Sequence, residues 1–144
     1  MLSSNMLLPN FILLIEVTFS TPTPGYTQYM NTVVISATKE ISLDDVRALL
    51  ARHWSLLNTP PDRLAIEESN SRVYIYHPRL DLGATDPKQL FLDYSSQELV
   101  KKVIQAIGDD PDCVIDNDHG TALPGDQFVA WLRSGKTVLS DDWR

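Results

Sequence analysis

The chain has 144 residues, of which 43% are hydrophobic and 22% charged. That composition suits one ordinary globular domain and excludes disorder, collagen-like repetition and coiled coil. With 12 Lys+Arg against 19 Asp+Glu the net charge is −7, which argues against a general nucleic-acid binder, because neutralising phosphates needs a basic face.

The first 38 residues carry no Lys or Arg and only Glu16 as a formal charge. The run from Met6 to Ile15 is apolar, but it has neither the basic flank nor the small-residue cleavage site of a secretory signal. It is also too short to span a bilayer. Residues 11–19 therefore read as a buried strand, residues 1–10 as loose, and the protein as cytosolic with no membrane partner. The prolines at 22 and 24 and Gly25 make a turn.

Thr32, Val33, Val34 and Ile35 form a β-branched run and predict a second strand. Ser42 can cap a helix whose first turn holds Asp44 and Asp45. The apolar spacing Val46, Leu49, Leu50, His53, Leu57 extends that helix to about residue 57, with His53 as a hydrogen-bonded core histidine. Residues 63–68 and 72–77 alternate as two strands of a hairpin around Ser69, Asn70 and Ser71. Tyr74 and Tyr76 share one face of the second strand, since side chains repeat every second residue.

Residues 78–88 read as a loop and residues 90–94 as a strand. Ser95 and Glu98 make a capping box ahead of Leu99, Val100, Val103, Ile104 and Ile107, with Gly108 as a left-handed cap. Residues 113–116 form another strand, and the lone Cys113 there reads as a buried, inert thiol. Residues 117–126 are a structured loop. Residues 127–133 fit either a short helix or a strand, and residues 136–144 read as a loose tail. The order β-β-α-β-β-β-α-β predicts a single α+β domain over residues 1–144, a mainly antiparallel sheet with two principal helices packed on one face.

Residues 108–144 hold eight Asp against Arg133, Lys136 and Arg144, so five of the seven net negative charges lie in the last quarter of the chain. Such a segment is either a solvated surface or an acidic docking face for a basic partner. In the polar cluster Asp116-Asn117-Asp118-His119-Gly120, Asp116 and Asp118 offer oxygen ligands at alternate positions, yet Gly120 and Gln127 stand where a calcium-binding EF-hand loop needs ligands. Asx side chains build such turns without metal, so neither a metal nor another cofactor is expected. No Gly-x-Ser-x-Gly and no phosphate-binding glycine motif occurs. A non-enzymatic protein is the leading expectation, with a small hydrolase or metal-dependent enzyme using Asp116, Asp118 and His119 as the rival. A third reading is a structural module that self-associates through the apolar N-terminal strand. The oligomeric state is open.

The segment Val114-Ile115-Asp116-Asn117-Asp118-His119-Gly120-Thr121-Ala122-Leu123-Pro124-Gly125-Asp126-Gln127-Phe128-Val129-Ala130 resembles the C-terminal part of small acidic bacterial proteins of immunity type. The likeness covers the last third of the chain and includes no catalytic motif. It implies a protein that neutralises a cognate toxin by binding it. A basic toxin effector is then the expected partner. Asp116, Asp118, Asp126, Asp141 and Asp142 are its expected contacts, with Tyr74, Tyr76 and Trp143 as anchors.

Overall fold

A computed structural model describes residues 30–80 and 83–139. The expected strand at 11–19, the turn that follows it, the loose N-terminus, and Asp141, Asp142 and Trp143 lie outside the described residues.

Among the described residues nine elements follow in chain order. They are β1 (Asn31–Ala37), α1 (Leu43–Leu50), β2 (Arg63–Glu68), β3 (Ser71–Tyr76), β4 (Gln89–Tyr94), α2 (Gln97–Ile107), β5 (Cys113–Asp116), β6 (Ala122–Pro124) and α3 (Gly125–Arg133). The strands make one six-stranded sheet in the order β2-β3-β4-β1-β5-β6, and every adjacent pair is antiparallel. The α+β class and the antiparallel sheet are as the sequence predicts. A third helix, α3, joins the two expected ones, because Phe128, Val129 and Leu132 point to one side at helical spacing and are fully buried.

Alternation sets the faces of the sheet. Val33 and Ile35 on β1, Leu64 and Ile66 on β2, Val73 and Ile75 on β3, Leu90, Leu92 and Tyr94 on β4, and Cys113 and Ile115 on β5 all enter one core. The same core takes Val46 and Leu50 of α1, Leu99, Val100, Val103 and Ile104 of α2, and the apolar face of α3. The three helices therefore form one layer, and the other face of the sheet carries no helix among the described residues.

Several local expectations shift. Helix α1 ends at Leu50, seven residues early: the carbonyl of Leu50 accepts from both His53 N and Trp54 N in a tight turn. Leu57 N then donates to Ala65 O at 2.9 Å, so the chain lies along the outer edge of β2 and covers it. The apolar spacing at Leu57 reflects this edge packing, and His53 is exposed, its ring edge-on to Trp54. The hairpin turn has two residues, Ser69 and Asn70, both at positive φ (50° and 67°). That left-handed pair matches the twist of the flanking strands.

Helix α2 is capped by Ser96, whose hydroxyl accepts from Leu99 N. The hydroxyl of Ser95 accepts from Arg72 N at 3.0 Å on β3, which removes it from the expected capping box. Gly108 ends α2 at φ −100° and is not left-handed. Its lack of a side chain answers a close approach, since a Cβ there would meet Ile115 Cδ1 at 2.7 Å and Ile104 O at 2.9 Å. The loop expected over residues 117–126 contains β6. In the segment expected to be a loose tail, Val138 is fully buried.

Candidate functional site

Strand β5 and its flanks carry the acidic character of the molecule. Residues 108–132 contain six Asp and no Lys or Arg. All six, Asp109, Asp110, Asp112, Asp116, Asp118 and Asp126, are exposed. The fold sorts them into two groups at opposite ends of β5, about 13 Å apart at ~3.3 Å per residue.

Asp116 and Asp118 belong to the β5–β6 turn. Asp116 Oδ1 accepts from Asp118 N at 2.8 Å. The fully buried Asn117 accepts from His119 N at 2.8 Å and Thr121 N at 3.0 Å through Oδ1. Its amide donates to Val138 O at 2.8 Å, tying the turn to the segment after α3. The cluster is thus a rigid Asx-built turn. His119 is exposed on it, and among the described residues no three His, Cys, Asp or Glu side chains converge as metal ligands would.

Asp126 goes to the other end. Strand β6 runs back along β5, pairing Pro124 with Val114, and Gly125 presses against the loop that leaves α2. A Cβ on Gly125 would lie 2.6 Å from both Asp110 O and Cys113 Sγ. Asp126 therefore stands beside Asp109, Asp110 and Asp112, and the three sequence-expected carboxylate contacts among the described residues, Asp116, Asp118 and Asp126, do not form one patch. Cys113 is buried as expected, and its thiol donates to Asp110 O at 3.2 Å. Burial pushes the thiol pKa up, and the negative charges of Asp110 and Asp126 add to the shift.

The Asp110 end also borders a cleft of about 350 Å³. Its floor is apolar, with Ile35, Ala37, Ile41, Val46, Leu49, Leu90 and Ile107. Glu40, Asp45, Asp110 and Asp112 rim it, and Lys39 is the one cation among the lining residues. Helix α2 ends at this cleft with no basic residue in its last turn, so its carbonyl end adds negative potential there. An apolar trough with a carboxylate rim suits a Lys or Arg side chain, whose stem is aliphatic and whose head is cationic. None of the four rim carboxylates is among the contacts the sequence predicts: Asp110 and Asp112 entered only as part of the acidic bias, and Glu40 and Asp45 not at all. Glu40 and Asp45 lie about 70 residues from Asp112 in the chain, and the only local signal there, an acidic first turn, has a helix-dipole explanation of its own.

Tyr74 and Tyr76 sit on the helix-free face of the sheet, toward its β2 edge. Tyr76 donates to Asp93 Oδ2 at 2.8 Å. Tyr74 accepts from Arg72 at 2.9 Å and lies under the guanidinium of Arg63, 5.0 Å from the ring centre. Neither touches the cleft, which opens on the helix side. Among the described residues no helix is long and apolar enough to cross a membrane.

The fold and the cleft together define a small α+β domain with a one-sided antiparallel sheet and an acid-rimmed trough at one end. Compared with models of protein families, with curated proteins and with solved structures, the chain finds no match.

Proposed function

We propose that this chain is an acidic binding protein of immunity type, acting in the cytosol without catalysis, which neutralises a basic toxin by direct docking. The observation that carries this reading is the cleft of about 350 Å³ with an apolar floor and four carboxylates on its rim. A Lys or Arg of the partner inserts there, and the exposed Asp109 and Asp126 widen the negative field that steers it in. The turn carrying Asp116 and Asp118, held rigid by Asn117, offers a second contact that loses little freedom on binding. Blocking a basic active-site cleft in this way needs no chemistry from the inhibitor. The resemblance of residues 114–130 to immunity-type proteins supports the same reading.

The test recovers a partner from the native source on the immobilised full chain and titrates the purified partner at low and high ionic strength. Glu40→Lys combined with Asp112→Lys reverses two exposed rim charges without touching the core. Association with this variant should slow by about tenfold or more at low salt, and co-expression of the variant should no longer relieve the partner's toxicity. A partner bound equally well by the variant, or one with no toxicity to relieve, refutes the proposal.

A further inference from the structure

The cleft at the end of the helix layer holds charges of both signs that do not meet. Lys39 and Glu40 lie on the link from β1 to α1, Asp45 in the first turn of α1, and Asp110 and Asp112 on the link from α2 to β5. The two links leave neighbouring strands side by side, since Ala37 pairs with Cys113. Even so, among the described residues Lys39 makes no ion pair with any of the four carboxylates. All five side chains are exposed, so each charge is open to a ligand. A ligand that carries only a cation answers the rim but brings its charge toward Lys39, and that like-charge approach costs affinity. A ligand with a cation and a carboxylate at the two ends of an aliphatic stem answers both signs and lays the stem on the apolar floor. Size narrows the choice further. At about 350 Å³ the cleft lies near the bottom of the roughly 300–1,000 Å³ span of sites that enclose a small molecule. A residue in the middle of a chain must bring one backbone in and another out, whereas a terminal residue brings only one.

We propose that the cleft binds the C-terminal residue of its partner, a lysine or arginine whose side chain reaches the rim carboxylates and whose terminal carboxylate meets Lys39. This rests on the reading of the cleft as the docking site and adds which part of the partner enters it. Lys39 is then the residue that sets specificity. Its ammonium is a compact charge on a flexible stem, so it follows a carboxylate entering from solvent and makes a charge-assisted hydrogen bond to it. Four carboxylates without Lys39 would attract any basic segment. With Lys39 beside them, a lysine or arginine inside a chain meets a like charge that nothing offsets, and only a terminal residue brings the offsetting carboxylate. Discrimination of this kind comes from a repulsive element as much as from an attractive one.

Fluorescence anisotropy with the full chain tests this, using N-terminally labelled pentapeptides that end in lysine with either a free C-terminal carboxylate or an amide. General attraction to a chain of net charge −7 favours the amide, which is more positive by one charge. The expected order is the opposite, with the free acid binding about tenfold tighter at low salt. Lys39→Gln, at an exposed position outside the helices and strands, should remove that preference, and the Glu40→Lys, Asp112→Lys variant should lose both peptides. Equal or tighter binding of the amide by wild type overturns the proposal, as does a preference for the acid that survives Lys39→Gln. Retention of either peptide by the rim variant overturns it too, since the rim would then not hold the lysine. If wild type binds both peptides alike and the rim variant binds neither, the cleft remains a docking site and the inference about the terminal residue alone falls. If wild type binds neither peptide at millimolar concentration, the inference and the reading of the cleft fall together.

Discussion

Replacing Asn117 with alanine should be among the more damaging polar substitutions in this domain. The side chain is fully buried and makes three bonds to the backbone, accepting from His119 N and Thr121 N and donating to Val138 O. Alanine removes all three at once. Thr121 N and Val138 O are left in buried surroundings, and each unsatisfied group costs about 1–3 kcal/mol. His119 N is nearer solvent and recovers a bond to water. The expected loss is about 2–4 kcal/mol, a large fraction of the ~5–15 kcal/mol that holds a domain folded. Urea unfolding followed by tryptophan fluorescence measures it, with the m-value checked for constancy. Asn117→Asp keeps the two acceptor roles, loses the donor and buries a charge, so it should gain stability as pH falls and the carboxyl takes up a proton. A loss below about 0.5 kcal/mol for Asn117→Ala, the range of an ordinary surface change, refutes the claim that this amide holds the turn and the segment after α3 together.

The hydroxyl of Tyr94 is buried with no hydrogen-bond partner among the described residues, so Tyr94→Phe should raise stability by about 1 kcal/mol, read as a higher urea midpoint, and a lower midpoint refutes it. Gly125→Ala drives a Cβ into Asp110 O and Cys113 Sγ and should cost about 3 kcal/mol or more, again read from the urea midpoint. An unchanged midpoint would show that the contact between Gly125 and the loop after α2 yields freely. Burial pushes the Tyr94 phenol up to about 12, and burial and the neighbouring Asp93 carboxylate raise Tyr76 as well. The folded chain keeps these protons above the ordinary phenol pKa of about 10, where the unfolded chain releases them. Their contribution is therefore full below about 10 and is lost as pH rises toward the folded values. Absorbance at 295 nm should show two late-titrating tyrosines in the native protein, and denaturant midpoints should fall over the same range. Early titration of every tyrosine would refute the burial of these two.

How much of this was legible in the sequence depends on whether the signal was local. Periodicity placed β1 to β5 and α2 because each buries one face in a single core, so alternation and helical spacing survive in the residue order. Helix α1 was overextended because Leu57 sits at helical spacing for a different reason: its backbone covers the edge of β2. Ser95 offered a sound capping signal, but Arg72 N on a neighbouring strand claims its hydroxyl and Ser96 caps in its place. The acidic bias of the C-terminal quarter was visible as composition. Its division into two groups was not, because that follows from β6 folding back along β5 and from Gly125 seating against Asp110. The cleft draws Glu40 and Asp45 from one end of the described chain and Asp110 and Asp112 from the other, and no local pattern joins them.

The two surfaces differ in what they can bind, and the difference follows from the sheet. On the open face the outward side chains are mostly polar and bonded to one another, Thr32 and Tyr76 to Asp93 and Gln89 to Ser36. A face already paired in this way gains little from an incoming charge. The cleft has the opposite character. Four carboxylates share a rim with a single lysine, and like charges gathered around one cleft repel one another and destabilise the free protein. An incoming cation relieves that repulsion, so binding there should strengthen the fold. Adding a saturating basic ligand should therefore raise the urea midpoint of the wild-type chain at low ionic strength. The gain should shrink as salt screens the rim and should vanish in the Glu40→Lys, Asp112→Lys variant, whose own midpoint without ligand should be equal to or above that of wild type. A variant less stable than wild type would show that the rim carboxylates serve the fold, and the cleft would then lose its electrostatic rationale as a binding site.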